Sequence, residues 1–350
     1  MHNLSGLFLR PEYRDPVFSE KRFDMINTEL SIVTPVYNEE AVLGDFFKEL
    51  TATLNRLGMS YEIIFVDDGS TDRSWEIISE FGSLNSNVRG IRFTRNFGQQ
   101  VALSAGLDLS RGRAVICMDS DLQHPPALIP EMIDFWKNGF MVVNTVREDQ
   151  KIPFLKKWGT DIFYRIMCFL SDTPVLASSP DFRCMDRTVV DAFRTLRERD
   201  RFIRGLISWL GFPSTTLCFT APVQTCKKSR YTMKKMINLA VDALTSFTAF
   251  PLRFAFYLGI VVSLSSAVYT LYSLFVKLFL GTAVQGWTSL IIVLLFLGGG
   301  QMIFLGIIGE YIYRIYNEMK QRPLYISRNR LNCENDTAEK TLTSADYQSF

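Results

Sequence analysis

A chain of 350 residues has ample material for a core and room for one large domain or two smaller pieces. Its 38 Lys and Arg stand against 36 Asp and Glu, and a net charge of +2 gives no case for a nucleic-acid binder. Apolar residues make up 47% and Phe alone numbers 28, with the excess at the C-terminal end and an ordinary soluble composition in the first half.

The six cysteines are Cys117, Cys168, Cys184, Cys218, Cys226 and Cys333. They form no Cys-x-x-Cys pair and have no clustered histidine to complete a zinc site, so reduced structural thiols are expected. Residues 1–28 hold no sustained apolar core, so no cleaved secretory signal is expected and the N-terminal half should stay in the cytoplasm.

The chain then alternates strand and helix. The β-branched run 30–35 is followed by helical spacing over 39–57, with Val42, Leu43, Phe46, Phe47, Leu50 and Leu54 on one face. The pattern repeats as strand 61–66 with helix 72–81, strand 88–93 with helix 99–109, and strand 113–118 with helix 126–136; strand 141–145 closes it. Nearly all-apolar strands alternating with helices predict an α/β fold whose mostly parallel sheet is covered on both faces. Ligands in such sheets bind beyond the carboxyl ends of the strands.

Four polar loops follow those ends: Pro35, Tyr37, Asn38 and Glu39; Asp67-Asp68-Gly69-Ser70-Thr71-Asp72; Arg95-Asn96-Phe97-Gly98-Gln99; and Asp119-Ser120-Asp121-Leu122-Gln123. Ser70, Thr71 and Asp72 suit helix caps, and Gly69 and Gly98 suit tight turns. Asp67 and Asp68 are less simply explained, because adjacent carboxylates beside another pair repel unless a cation or donor-rich ligand joins them. An Asp-x-Asp pair at a strand end offers two hard oxygen ligands with positions left for substrate phosphates, the pattern Mg²⁺ or Mn²⁺ takes. Taken alone, that tripeptide is equally a capped turn. His124, ahead of Pro125-Pro126, caps or lines the same turn.

In this order and spacing, Pro35-Val36-Tyr37-Asn38-Glu39-Glu40, Asp67-Asp68-Gly69-Ser70-Thr71-Asp72, Arg95-Asn96-Phe97-Gly98 and Asp119-Ser120-Asp121-Leu122-Gln123-His124-Pro125-Pro126 resemble a family 2 inverting glycosyltransferase of the GT-A fold. The resemblance implies that Pro35, Tyr37, Asn38, Glu39 and Asp67 hold a nucleotide, joined at the pocket by Asp68, Arg95 and Gln123. It also implies that Asp119 and Asp121 flank a Mg²⁺ or Mn²⁺ that bridges the diphosphate.

Arg147 ends the fifth strand, and 151–170 mixes Lys151, Lys156, Lys157 and Arg165 with aromatic and aliphatic residues as a basic amphipathic helix. Asp181-Phe182-Arg183-Cys184-Met185-Asp186-Arg187 and Glu198-Arg199-Asp200-Arg201-Phe202-Ile203-Arg204-Gly205 resemble stretches of the polyprenyl-phosphate branch, which includes bactoprenol glucosyltransferases and dolichol-phosphate mannose synthases. Lys227-Lys228-Ser229-Arg230-Tyr231 matches that branch in part, with Lys227 where Gly and Gln224 where Arg is expected; Ser229 and Arg230 join the nucleotide-sugar residues on this basis. Arg147, Lys157, Arg201 and Arg204 are cationic candidates for the acceptor phosphate, and Asp181 joins Asp119 and Asp121 as a candidate catalytic carboxylate in contact with sugar.

Uncharged runs predict two transmembrane helices near 254–276 and 287–310, with Lys and Arg flanking the outer ends. The expected plan is an N-terminal tail (1–28), a cytoplasmic GT-A domain (29–222), a basic loop and interfacial helix (223–252), a transmembrane hairpin (253–313) and a tail (314–350) with a disordered end. Glu310-Tyr311-Ile312-Tyr313-Arg314-Ile315-Tyr316 and Arg322-Pro323-Leu324-Tyr325 extend the resemblance to roughly residue 326. A multi-pass inner-membrane enzyme is expected, with catalytic domain and termini cytoplasmic. It would move a sugar, glucose first, from a UDP-sugar to undecaprenyl or another polyprenyl phosphate with inversion. The expected surroundings are the lipid bilayer, a flippase, a downstream glycosyltransferase and compatible homo-oligomers. Two rivals stand beside this. A processive polysaccharide synthase predicts a Gln-x-x-Arg-Trp motif, which is absent, and an inactive scaffold predicts loss of the Asp pair, which is present.

Overall fold

The computed structural model describes residues 28–147, 180–219 apart from 197 and 200, parts of 257–279, and 286–333. The chain divides into two compact units, one built from Met1–Gly159, Val175–Lys228 and Pro323–Phe350, the other from Thr160–Pro174 and Ser229–Arg322.

In the first unit the alternation is β1 (Leu30–Val36), α1 (Leu43–Leu57), β2 (Tyr61–Asp67), α2 (Ser74–Leu84), β3 (Val88–Phe93), α3 (Gln99–Leu109) and β4 (Ala114–Cys117). A 3₁₀ turn (Pro126–Leu128), α4 (Ile129–Lys137) and β5 (Val142–Arg147) follow. All seven residues of β1 and all four of β4 are buried, as strands covered on both faces require. Helix α1 lays Leu43, Phe46, Leu50 and Leu54 into the core at helical spacing. Helix α3 approaches the sheet closely at Gly106, where an added Cβ would overlap the Val33 side chain.

Further elements are β6 (Arg183–Asp186), α5 (Arg187–Thr195), α6 (Ile203–Trp209), β7 (Ser214–Phe219), α7 (Trp287–Met319) and β8 (Ser327–Leu331). The eight strands lie in the order β7-β5-β6-β4-β1-β2-β3-β8. Pairs β1–β2, β1–β4, β2–β3 and β5–β7 are parallel, so the α/β, mostly parallel expectation holds. Strand β6 runs antiparallel between β4 and β5. Because Cys117 faces Arg183 in that register, the chain just before β6 meets the chain just after β4. Asp181 is thereby brought toward Asp119.

The expected hairpin requires a correction. The run 254–276 is described only in part, in helical pieces between Tyr257 and Phe275, and in α7 the apolar run is interrupted by Gly298-Gly299-Gly300-Gln301. Leu290, Leu294 and Leu305 of α7 are exposed. Among the described residues no helix is long and apolar enough to cross a membrane. That finding overturns the multi-pass placement with cytoplasmic termini. The amphipathic segment 151–170 and the basic loop and helix 223–252 also lie outside the described residues.

Candidate active site

The carboxyl ends of β1, β2, β3 and β4 carry the four polar loops, and hydrogen bonds join them. Asn38 takes a left-handed conformation at φ 55°, and its backbone N–H donates to Ser70 Oγ at 3.0 Å. Its side-chain oxygen accepts from the Thr71 N–H at 2.8 Å. The Glu39 N–H donates to Ser74 Oγ at 3.0 Å, while Tyr37 stands 46% exposed at the mouth of this corner. Pro35 contributes its carbonyl, which accepts from the Ser120 hydroxyl at 3.3 Å.

Asp67 is fully buried; its Oδ1 accepts from the Ser70 N–H at 2.9 Å, and its Oδ2 lies 3.1 Å from Arg92 Nε. That second contact is an ion pair of poor hydrogen-bond geometry, since Oδ2 has no hydrogen-bond partner. Asp68 is satisfied differently. Its two oxygens accept from the backbone N–H groups of Phe97 at 2.6 Å and Gly98 at 2.9 Å. Burial raises both carboxyls above their ordinary range, and these N–H donors pull the other way. The repulsion expected between the adjacent carboxylates is therefore answered by protein groups, and Asp68 shapes the loop rather than presenting a free oxygen. Arg95 lies 4.1 Å over the Phe97 ring in the same loop.

Gly69 sits at φ 71°, where an added Cβ would come within 2.5 Å of the Arg95 carbonyl carbon. The second and third loops touch backbone to backbone there. Gly69→Ala is expected to cost about 1–3 kcal/mol through strain and overpacking. A thermal unfolding midpoint unchanged from wild type would contradict this.

The fourth loop holds the Asp pair. The Asp119 N–H donates to His124 Nδ1 at 2.9 Å, and Gln99 Nε2 donates to Asp119 Oδ1 at 2.8 Å. Leu122 is left-handed at φ 61°, and the Gln123 N–H donates to Asp121 Oδ1 at 3.1 Å, so the turn closes on its own carboxylate. Burial, then the charges of Asp121 and Asp181, push the Asp119 carboxyl up to about 7. Burial holds His124 down at about 4, and its ring stacks on Phe182 with centroids 5.0 Å apart. His124 is thus a neutral wall of the turn, as its place before two prolines suggested.

Asp181 joins this cluster from the β6 side. Arg204 clamps it with two bonds, Nε to Oδ1 at 2.8 Å and Nη2 to Oδ2 at 3.0 Å, and Gln100 Nε2 adds a third at 3.1 Å. Burial alone would raise the Asp181 carboxyl; the Arg204 clamp and the Arg183 charge outweigh it and hold the group low. Arg147 Nη1 donates to Gln123 Oε1 at 3.2 Å, which places the end of β5 at the same loop.

The remaining candidates differ. Arg201 is buried, donates to the carbonyls of Leu196 and Glu198 and lies over the Phe193 ring, so it anchors the end of α5 instead of standing open to an acceptor phosphate. Lys157, Ser229 and Arg230 lie outside the described residues. Sequence reasoning did not single out Arg92, Gln100 or Arg183. Gln100 was findable, since with Gln99 it opens α3 at the sheet's carboxyl edge; Arg92 and Arg183 look like ordinary strand residues.

Asp119 and Asp121 stand on one turn with the charge of Asp181 nearby, an arrangement that suits a divalent cation. Among the described residues no group of three or more His, Cys, Asp or Glu could hold a metal by itself. A cation at Asp119 and Asp121 would therefore complete its shell with substrate oxygens and water, as Mg²⁺ commonly does.

The Asp67 corner and the Asp119/Asp121 turn thus lie at the carboxyl edge of one sheet. The sequence matches the family described as glycosyl transferase family 2 over residues 31–193. An uncharacterized glycosyltransferase of Bacillus subtilis (strain 168), YkcC, is 42% identical over 88% of this chain and 95% of its own length. The bactoprenol glucosyl transferase of Shigella phage SfV is 37% identical over 86% of this chain and 98% of its own length. The corresponding prophage-derived SfII enzyme of Shigella flexneri is 38% identical over 85% and 97%. The chain belongs to glycosyl transferase family 2. Within that family it falls in the bactoprenol branch.

Proposed function

We propose that the chain transfers one sugar, glucose first, from a UDP-sugar to a polyprenyl phosphate, undecaprenyl phosphate first, with inversion. The observation that carries this is that the loops after β1, β2 and β4 share one sheet edge, with Ser120 donating to the Pro35 carbonyl, in a chain similar along most of its length to bactoprenol glucosyl transferases. Asp67 Oδ2, which lies 3.1 Å from Arg92 Nε without a formed hydrogen bond, is the oxygen this reading assigns to an N–H of the base. Asn38 and Glu39 line the same corner. When bound at Asp119 and Asp121, Mg²⁺ or Mn²⁺ supplies positive charge for the leaving diphosphate.

The rest falls to the chain's own side chains. Arg147 and Arg204 place cationic donors near the carboxylate cluster, where an acceptor phosphate needs orientation. A lipid phosphate is already anionic at neutral pH, so positioning matters more than a strong base. The neutral, occupied His124 agrees with this division of work. An α-linked UDP-sugar should give a β-linked lipid phosphate carrying a single sugar, read by anomeric NMR couplings and product chromatography. An α-linked product or a ladder of lengths would refute the proposal.

Metal affinity should depend on pH. Asp119 must lose its proton to act as a ligand, and its carboxyl stands at about 7. Mn²⁺ affinity is expected to be full by about pH 8 and roughly tenfold weaker near pH 6, with about one proton released per ion bound near pH 6 and little release at pH 8. Titration of Mn²⁺ followed by electron paramagnetic resonance at both pH values checks this. A pH-independent affinity would contradict it.

A further inference from the structure

The motif Arg322-Pro323-Leu324-Tyr325 has no part in the chemistry above, yet the chain that follows it returns to the donor side of the sheet. Strand β8 adds antiparallel to β3, pairing Gly90 with Leu331, Ile91 with Arg330, Arg92 with Asn329 and Phe93 with Ser327. The register shifts between Arg92 and Phe93, a bulge that lies where β3 enters the Arg95–Gly98 loop. Both ends of the added segment are tied. At one end the Thr94 N–H donates to the Ile326 carbonyl at 3.0 Å. At the other, Asn332 Nδ2 donates to the carbonyls of Val88 at 2.8 Å and Gly82 at 3.1 Å, beside the buried Cys333.

From this segment an aromatic series leads to the donor corner. Tyr325 stacks on Phe93, with centroids 4.8 Å apart and planes 21° from parallel. Phe93 meets Phe97 edge to face at 5.7 Å. The backbone N–H groups of Phe97 and Gly98 hold the Asp68 carboxylate, and Asp68 adjoins Asp67. Arg92, on the bulge itself, reaches back with Nε 3.1 Å from Asp67 Oδ2 and Nη2 donating to the Ser70 carbonyl at 2.9 Å. Asp67 is therefore contacted by Arg92 of the β3 edge that β8 covers, and Asp68 is held by the loop that leaves that edge.

We infer that residues 323–333 act as a strap that sets the donor pocket, with Tyr325 as its positioning residue acting through Phe93 and Phe97; this rests on the donor reading above. Tyr325 touches neither base nor sugar in this scheme. Its ring fixes the Phe97 backbone, and the Phe97 and Gly98 amides fix Asp68. Without the ring, the loop samples arrangements that do not receive the nucleotide, so binding weakens by the fraction of time the loop is misplaced.

The test compares full-length wild type, Tyr325→Ala, the milder Tyr325→Leu, and Tyr325→Phe, which keeps the ring. Amide hydrogen exchange over 95–98 and UDP titration with Mg²⁺ are measured on each, with donor KM and kcat alongside. Tyr325→Ala and Tyr325→Leu are expected to exchange faster at 95–98 and to raise the UDP Kd and donor KM about three- to tenfold, the scale of one lost aromatic pair. The effect should fall on KM rather than kcat, and Tyr325→Phe should match wild type. Unchanged exchange at 95–98 overturns the strap. Faster exchange with unchanged UDP affinity overturns its role in donor binding, and a defect in Tyr325→Phe equal to that of Tyr325→Ala overturns the ring-stacking route. A wild type that binds no UDP counts against the donor reading instead, and the exchange data then decide whether the strap holds the loop.

Discussion

Asp121→Asn is expected to lower metal-dependent sugar transfer by roughly 10²–10³-fold, the scale of removing one preorganised group that stabilises developing charge. Asparagine keeps the size of the side chain, and its oxygen can still accept from the Gln123 N–H that now bonds Asp121 Oδ1 at 3.1 Å. The turn should therefore fold as before. What is lost is one of two charges offered to the cation. Because the Asp121 charge is among the causes that push Asp119 up to about 7, the variant's Asp119 carboxyl should also titrate lower. The variant is expected to unfold at the wild-type temperature or slightly above, since repulsion within the cluster falls. Initial rates at saturating Mg²⁺ or Mn²⁺, paired with a thermal melt, check both statements. A rate within twofold of wild type would remove Asp121 from the metal site.

Asp181→Ala is expected to destabilise the first unit by about 1–3 kcal/mol, because it leaves the buried Arg183 without its nearby carboxylate and Gln100 without an acceptor, while the partly exposed Arg204 can turn to water. Asp181 is 4% exposed and accepts from Arg204 and Gln100, with the buried Arg183 only 3.7 Å away. Three donors lose their acceptor at once. The pH dependence follows from the sign of the shift. The Asp181 carboxyl is held below its ordinary value of 3.8 in the fold, so its contribution is fully present above that value and is lost as pH falls through the folded value. The gap between wild type and Asp181→Ala should thus be widest near neutrality and narrow in acid. Denaturant midpoints at pH 7 and pH 3.5 measure it, and a gap that stays constant or widens in acid would contradict the assignment. Transfer should fall as well, because Arg204 loses the clamp that orients it.

The α/β alternation was legible because β1, β2 and β4 are mostly apolar runs and the intervening helices repeat at helical spacing. β3 and α3 match their expected limits, 88–93 and 99–109. The four loops that build the site were legible for the same reason, since a parallel sheet gathers its strand ends on one edge. Other features depend on pairing that no local pattern reports. Arg183–Asp186 is four residues long and Ser327–Leu331 reads Ser-Arg-Asn-Arg-Leu, so neither carries the apolar alternation of a strand. Without β6 in place, Asp181 could not be tied to Arg204 and Gln100 beside the Asp pair. Without β8, the region after α7 looks like a tail. Arg201, a cation in a suggestive motif, donates to the carbonyls of Leu196 and Glu198 after α5, a contact the motif does not report. Asp68 is a similar case, since a carboxylate expected to face a ligand is spent on two backbone amides. The membrane hairpin was inferred from the length of two uncharged runs and the Lys and Arg at their outer ends, and among the described residues no helix is long and apolar enough to cross a membrane.

The most direct test of the central claim is intact mass spectrometry of the lipid product made by the full-length protein from undecaprenyl phosphate in detergent, offered a panel of UDP-sugars with Mg²⁺ or Mn²⁺. One product is predicted, heavier than the acceptor by a single sugar residue, formed only with metal present and strongest with one donor of the panel. No lipid-linked product from any donor, or a series of products differing by repeated sugars, would contradict the account.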